Sequence, residues 1–450
     1  MAAACGLSIG RFCAGEKRSR YQLHGRGEPR PYKTCLVAAP RFRPLSHLLC
    51  YSPISGGRLR QVAIVGGGPA GATAAQRLRD HRGFEERFRV ALFEEKLAWE
   101  KPCGGGLPAK AALRYPFLLD ACHNFTRVRE AELAAGNGEA VRLHLRGPLL
   151  VYSRATLNHL LLRRAEAAGA EVIPDRIRGF CREGARWRLQ GRSNTYVADF
   201  LILAAGARTT LRQLVAPALK PHDFMLTFGY YTPAADSVLR VRFFEDFEGY
   251  AWAFPRPDHL SVGICGKCGE ASMSDLRDRL HRFMRCFDYP VKSGPVFSHL
   301  LPALDSASWN SLSLAGEGWA LAGDAAGLVD PLTGEGIYFA MRSGELLAEA
   351  LREGSVKLYP AKVRSEFGAR LAMGARLAPR FYHGSFLGKS STTRLVQFCS
   401  RSPAFMTLLQ DLFEGSQSYL GLPSRVYRTF SKGLFEMGAH AVRTSMSAEA

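Results

Sequence analysis

The sequence lacks any apolar run long enough to cross a bilayer. Its longest apolar stretches, such as Val62–Val65 and Leu201–Ala205, have the length of buried strands, against the roughly 18 residues that a span needs. No secretory signal is recognisable, so the eleven scattered cysteines read as reduced thiols of a cytosolic compartment and not as a disulfide framework. One CxxC is present, Cys265-Gly-Lys-Cys268, but without the second pair or nearby histidines that a structural zinc site requires. Acidic residues are few, 40 against 60 Lys and Arg, and no nucleic-acid-binding motif accompanies the excess charge, which disfavours nucleic acid as a partner.

What is present suits two or three domains: 450 residues, of which 47% are hydrophobic. The basic excess has two sources. Residues 1–60 hold eleven Lys/Arg against Glu16 and Glu28, and Pro29, Pro31, Pro40 and Pro44 forbid a continuous amphipathic helix there. Residues 1–58 are therefore expected to be a disordered extension, either transit-like or an over-extended start. The remaining excess fits an anionic membrane surface, a diphosphate or simply a solvated surface.

Order is predicted from about Arg60. The run Gln61–Val65 reads as a buried strand leading into Gly66-Gly-Gly-Pro69-Ala70-Gly71, a helix-forming run Ala72–Arg79 and a second strand, Arg89–Phe93, ending at Glu94. Strand, glycine turn, helix and a following acid make the dinucleotide-binding pattern. Gly66 permits the turn, Gly68 lets backbone approach a pyrophosphate, Gly71 lets the helix pack on the strand, and Glu94 can accept from ribose hydroxyls. More than 200 residues later, Gly323-Asp324 follows another strand and Asp330–Gly336 opens a helix at Ile337. Such a second site points to FAD, held at both ends: Asp324 is suited to the ribityl chain, and Gly334 and Gly336 bring backbone N–H groups and a positive helix end to the flavin.

Between about 215 and 310 the runs become aromatic and strand-like, and Tyr250, Trp252 and Phe254 alternate with Ala251 and Ala253. On a strand, three large rings would share one face, either a wall for an apolar substrate or a plain core. Arg154–Gly169 reads as an amphipathic helix with a left-handed stop at Gly169. The last hundred residues read as mainly helical, without repeats or a recognisable motif.

From about residue 60 to at least 385 the chain resembles the geranylgeranyl reductase family of FAD-dependent oxidoreductases. The matching segments are Lys101-Pro-Cys103-Gly104-Gly105-Gly-Leu107, Tyr250-Ala-Trp-Ala-Phe-Pro255 with Gly263 beyond it, and Gly323–Ile337. The resemblance implies that Cys103, Gly104 and Gly105 form a loop near the flavin, that Arg154 contacts the cofactor, and that Tyr250, Trp252, Phe254 and Pro255 meet the substrate. It departs at Gly263-Ile-Cys265, where the family has Gly-x-Gly. Flavin hydroxylases carry Asp-Gly where Ala205-Gly206 stands here.

These readings together imply an α/β, glutathione-reductase-like FAD-binding (Rossmann-type) fold with an inserted mixed β-sheet substrate domain and a helical C-terminal region. The FAD-binding domain is expected over 59–215 and 311–355, the substrate domain over 216–310 and the helical region over 356–450. The expected activity is reduction of carbon–carbon double bonds in an isoprenoid or prenylated lipid, quinone or pigment, with Cys103 as the candidate catalytic residue. NAD(P)H binding transiently, or a reduced carrier, would supply electrons, and the lipid-like substrate suggests peripheral attachment to a membrane. A flavin monooxygenase, a halogenase and a non-catalytic flavin-binding protein are the alternatives.

Overall fold

A computed structural model describes residues 60–80, 87–120 and 122–429, so the expectations for 1–58 lie outside the described residues. The first strand, β1 (Arg60–Val65), is buried from Val62 to Val65, as a strand covered on both faces must be. Helix α1 (Pro69–Arg79) begins three residues before the expected Ala72. Pro69 occupies its first turn, where a missing N–H sacrifices no helical bond. There follow β2 (Phe88–Phe93), β3 (Gly106–Leu107), α2 (Ala109–Arg114) and two long strands, β4 (Phe125–Ala134) and β5 (Ala140–Tyr152). The next helix, α3 (Arg154–Ala167), is capped by Ser153, whose Oγ accepts the Thr156 N–H at 3.1 Å, and the chain leaves it through Gly169 at φ +91° as expected. Strand β6 (Glu171–Ile173), a ribbon of β7 (Gly179–Glu183), β8 (Arg186–Gln190) and β9 (Thr195–Ala198), and β10 (Phe200–Leu203) come next.

The second half contributes β11 (Phe224–Thr232), β12 (Val238–Phe243), β13 (Gly249–Pro255), β14 (Leu260–Lys267), α4 (Met273–Cys286), β15 (Val296–Pro302) and α5 (Ser306–Asn310). The chain then supplies β16 (Ala315–Gly316), β17 (Trp319–Leu321) and α6 (Ile337–Arg352). It continues through α7 (Leu358–Val363), α8 (Ala369–Tyr382), α9 (Ser391–Arg401) and α10 (Pro403–Glu414).

Two large sheets result. One has the order β16-β17-β10-β1-β2-β6 and is parallel except at its β16 edge. The other has eight strands in the order β15-β11-β14-β13-β12-β4-β5-β3, antiparallel except where β12 meets β4. The second sheet corrects the expected boundary at 216, because β3, β4 and β5 belong to it although they precede that point. They entered the 59–215 segment because no local pattern marks them off, and their place is set by pairing with β12 more than a hundred residues onward. One face of β13 and β14 packs Ala251, Ala253, Val262 and Ile264 against Leu276, Leu280 and Phe283 of α4. Toward the far end of the sheet, α9 and α10 bury Val396, Leu408 and Leu409 with Val128, Leu143 and Leu239. Among the described residues no helix is long and apolar enough to cross a membrane.

Gly71 shows how tightly the first turn is built: a Cβ there would stand 1.9 Å from the Gly66 carbonyl oxygen. Gly71→Ala should therefore destabilise the protein by about 2–4 kcal/mol, a core-distortion effect read by chemical denaturation.

Candidate active site

The glycine turn holds three different positions. Gly66 adopts φ +107°, and a Cβ there would stand 2.4 Å from the Ala204 carbonyl oxygen, so only glycine fits between β1 and the end of β10. Gly68 faces a cavity, with nothing within 4 Å of where a Cβ would lie. Glu94 braces the turn, its Oε2 accepting the Gly67 N–H at 2.9 Å and its Oε1 the Lys96 N–H at 3.1 Å. No side chain caps the N-terminus of α1 and its first turn carries no acid, which leaves a positive helix end beside Pro69, Ala70 and the cavity.

At the second turn Asp324 receives a hydrogen bond from Lys101 Nζ at 2.9 Å. Burial opposes its charge, but the Lys101 ammonium, joined by weaker contributions from His299 and Arg154, keeps the carboxyl below the usual carboxylate range. Burial and the same ammonium push the neighbouring His299 imidazole down. Gly323, Gly334, Gly336 and Ile337 line the same cavity, and no side chain caps α6 at Gly336. Tyr250 Oη donates to the Thr333 carbonyl at 2.7 Å, pinning the loop ahead of that helix. Arg154 is buried on the cavity wall with its Nη2 bonded to Asn158 at 3.2 Å. Ala205 and Gly206 also line this wall, where a hydroxylase would carry a carboxylate. Two uncapped helix ends, an open glycine and a half-buried carboxylate–lysine pair around one cavity suit a dinucleotide flavin.

The loop between these sites is held by Glu100. Its carboxylate accepts the Arg154 and Ala155 N–H groups at 3.0 and 3.1 Å, at the start of α3, and Arg256 Nη1 at 2.6 Å. Burial alone would raise its pKa, but Arg256 and the two N–H groups hold it below the ordinary glutamate range. Arg256 in turn donates to the Cys103 carbonyl at 2.7 Å, which Ser261 Oγ also reaches at 3.1 Å. The position of the Cys103 side chain is thus fixed from its backbone, and Sγ accepts the Gly105 N–H at 3.3 Å. The glycines serve packing as well as access: a Cβ on Gly104 or Gly106 would stand 2.8 Å from the Phe254 ring.

The alternation on β13 holds. Tyr250, Trp252 and Phe254 line the cavity, while Ala251 and Ala253 lie in the core beneath α4. Pro255 is the exception to the expected substrate set: it is buried at the end of β13, paired with Leu260, outside the lining. Cys265, where the family pattern has glycine, leaves β14 regular, lies opposite Tyr250 and faces the cavity with a thiol that burial pushes up to about 12. The cavity measures about 1460 Å³, more than the roughly 300–1,000 Å³ of a single small-molecule site. Beyond the aromatic wall it continues into an apolar lobe lined by Leu133, Leu149, Val241, Phe398, Leu408 and Phe413.

Glu100, Lys101, Arg256 and His299 escape the sequence reading, as does the lobe beneath the C-terminal helices. Of these, Lys101 alone left a signal, lying two residues before Cys103 in the recognised segment.

Residues 60–228 match the pyridine nucleotide-disulphide oxidoreductase family. Over 343 residues the chain is 30% identical to the chloroplastic geranylgeranyl diphosphate reductase of Oryza sativa subsp. japonica, covering 67% of this chain and 68% of the relative. It is 28% identical over 367 residues to the menaquinone reductase of Mycolicibacterium smegmatis, covering 71% and 85%. A geranylgeranyl bacteriochlorophyll reductase-like structure from Thermoplasma acidophilum aligns with a TM-score of 0.68 at 20% identity, over 82% of this chain and 100% of that one, which shows the shared fold.

Two outcomes follow from this geometry. Gly68→Leu should fold, because its side chain meets open space, yet lose the yellow colour and the FAD released on denaturation; normal FAD content would refute the placement. Glu100→Gln should lower the melting temperature near neutral pH. Because the stability from a depressed carboxyl pKa is complete above its unfolded value and is lost as pH falls through the lower folded one, the gap from wild type should narrow progressively as pH falls below about 4.5, the ordinary glutamate value.

Proposed function

The chain belongs to the geranylgeranyl reductase family of FAD-dependent oxidoreductases, and we propose that it reduces carbon–carbon double bonds of an isoprenoid chain. The isoprenoid belongs to a diphosphate, a lipid, a quinone or a pigment; relatives named for geranylgeranyl diphosphate and menaquinone support that range. The observation that carries the reading is the continuity of the cavity, from the two nucleotide turns past Cys103 and the aromatic wall into an apolar lobe.

In this reading Gly66, Gly68, Pro69, Ala70 and the α1 end receive the pyrophosphate, with Gly71 packed beneath them, and Glu94 faces the adenosine ribose. Asp324 and Arg154 hold the middle of the cofactor, while Gly104, Gly105, Gly323, Gly334, Gly336 and Ile337 surround the flavin end. Bound and reduced, FAD supplies a hydride to one carbon of the double bond. Tyr250, Trp252 and Phe254 lay the apolar chain alongside and exclude water, so that proximity replaces a chance encounter. An isolated alkene accepts hydride poorly, and a proton must reach the other carbon. Cys103, held at its carbonyl by Arg256 and Ser261, is assigned to turnover and not to cofactor retention. NAD(P)H or a reduced carrier restores the electrons.

Chemically reduced enzyme, given a geranylgeranyl substrate under strict anaerobiosis, should yield product heavier by whole pairs of hydrogen atoms. A product formed only with oxygen, and carrying an oxygen atom, would overturn the reading in favour of a monooxygenase. Cys103→Ala should keep its FAD but slow product formation, by about a hundredfold if the thiol delivers the proton; unchanged turnover would reduce Cys103 to a packing residue.

A further inference from the structure

Between α8 and α9 the chain makes a hairpin, Ser385–Phe386 against Lys389–Ser390, turned through Leu387 and Gly388. Both turn residues have positive φ, +50° at Leu387 and +72° at Gly388. Asparagine, aspartate or glycine ordinarily takes the first of these positions, and leucine there is strained. Packing does not compensate at Leu387, which is 69% exposed, whereas Phe386 beside it, 45% exposed, rests its ring against Phe398. A strained, apolar tip held out in solvent points to a contact outside the chain.

The surroundings define that contact. From Arg376 to Ser402 the chain carries Arg376, Arg380, Lys389, Arg394 and Arg401 and no Asp or Glu. Arg376, Arg380, Lys389 and Arg401 are exposed. Arg394 instead stiffens the tip, donating to the Phe386 carbonyl at 2.9 Å and to the Leu387 carbonyl. The acids that approach from other elements are Glu139, 3.8 Å from Lys389, Glu270, 3.3 Å from His383, Glu248, clustered with Glu270 and His383, and Glu245, which accepts from Ser390 and Thr393. They leave the arginines of the segment in excess. Phe386, Arg394 and Leu395 also line the cavity, on the side of its apolar lobe.

We propose that this hairpin docks the protein on an anionic lipid bilayer. Leu387 inserts among the acyl chains, the cations around it meet headgroups, and the apolar lobe behind Phe386 receives a lipid chain from the membrane. The delivery of substrate rests on the reductase reading, whereas the docking itself needs no catalysis. An apolar tip ringed by cations binds such a surface by two additive terms, one insensitive to salt and one screened by it.

The test is flotation of the full-length protein with vesicles of phosphatidylcholine alone and of equal parts phosphatidylcholine and phosphatidylglycerol, at low and high salt. Binding should favour the anionic vesicles and weaken with salt. Because residues 1–60 are also basic, the deciding comparison is Leu387→Asn, which suits a left-handed turn better. This variant should melt no lower than wild type yet partition about tenfold more weakly. Replacing Arg376, Arg380 and Arg401 with glutamine should weaken low-salt binding by about a hundredfold, at roughly fivefold per cation. Absence of wild-type flotation, or equal flotation of Leu387→Asn, would overturn the proposal. So would a dimer in sedimentation that Leu387→Asn dissociates, which would make the tip a contact between copies. Flotation without prenyl reduction would remove the functional reading and leave the docking, and reduction in detergent micelles without flotation would do the reverse.

Discussion

The pairing of Glu100 with Arg256 is the constraint on which the site depends. Arg256 has a fully buried side chain and follows β13 of the large sheet, while Glu100 lies at the start of α3, beside the parallel sheet. One carboxylate therefore ends a helix, neutralises a buried guanidinium and, through it, fixes the carbonyl of Cys103. A buried guanidinium without a partner would be costly, so the two sheets and the cysteine loop are held in one arrangement. The second cross-connection, Lys101 to Asp324, comes from the same loop and reaches the other nucleotide turn.

The C-terminal helices are tied to the site by a comparable network. Asp330, fully buried, accepts from Tyr419 Oη at 2.9 Å and faces Arg370 at 3.4 Å; Arg370 also approaches Glu335 at 3.2 Å, and Lys110 lies 2.8 Å from Glu335. Burial lowers the pKa of Lys110 despite Glu335. These groups join α8 and the turn at Tyr419 to the loop that precedes α6. A region without any motif thereby supplies both the roof of the apolar lobe and a brace for the loop that opens α6.

Chemistry and packing share residues throughout the wall. The Phe254 ring fills the space left by Gly104 and Gly106, and Gly263 leaves room for the Trp252 indole, whose ring a Cβ would approach within 2.3 Å. Small residues beside large ones let the cysteine loop lie close to β13 without a void. Cys265 takes the position of a family glycine on the cavity side, which narrows the space beside Tyr250 and alters the shape available to an apolar chain.

The sequence by itself determined the two glycine turns, the place of an acid, Glu94, directly after β2, the stop at Gly169 and the alternation of Tyr250, Trp252 and Phe254, whereas the bracing of Gly67 by Glu94 appeared only in the fold. Each of the former is a local matter, set by backbone conformation or by the period of a strand, and so is legible in a few consecutive residues. The tertiary structure decided that β4 and β5 join the large sheet, that Glu100 meets Arg256 and Lys101 meets Asp324, that Pro255 stays outside the cavity, and that α9 and α10 roof an apolar lobe. The sheet pairing and both ion pairs join segments 100 or more residues apart. A charge or a short apolar run carries no record of its distant partner, and only the packing of the whole chain selects it.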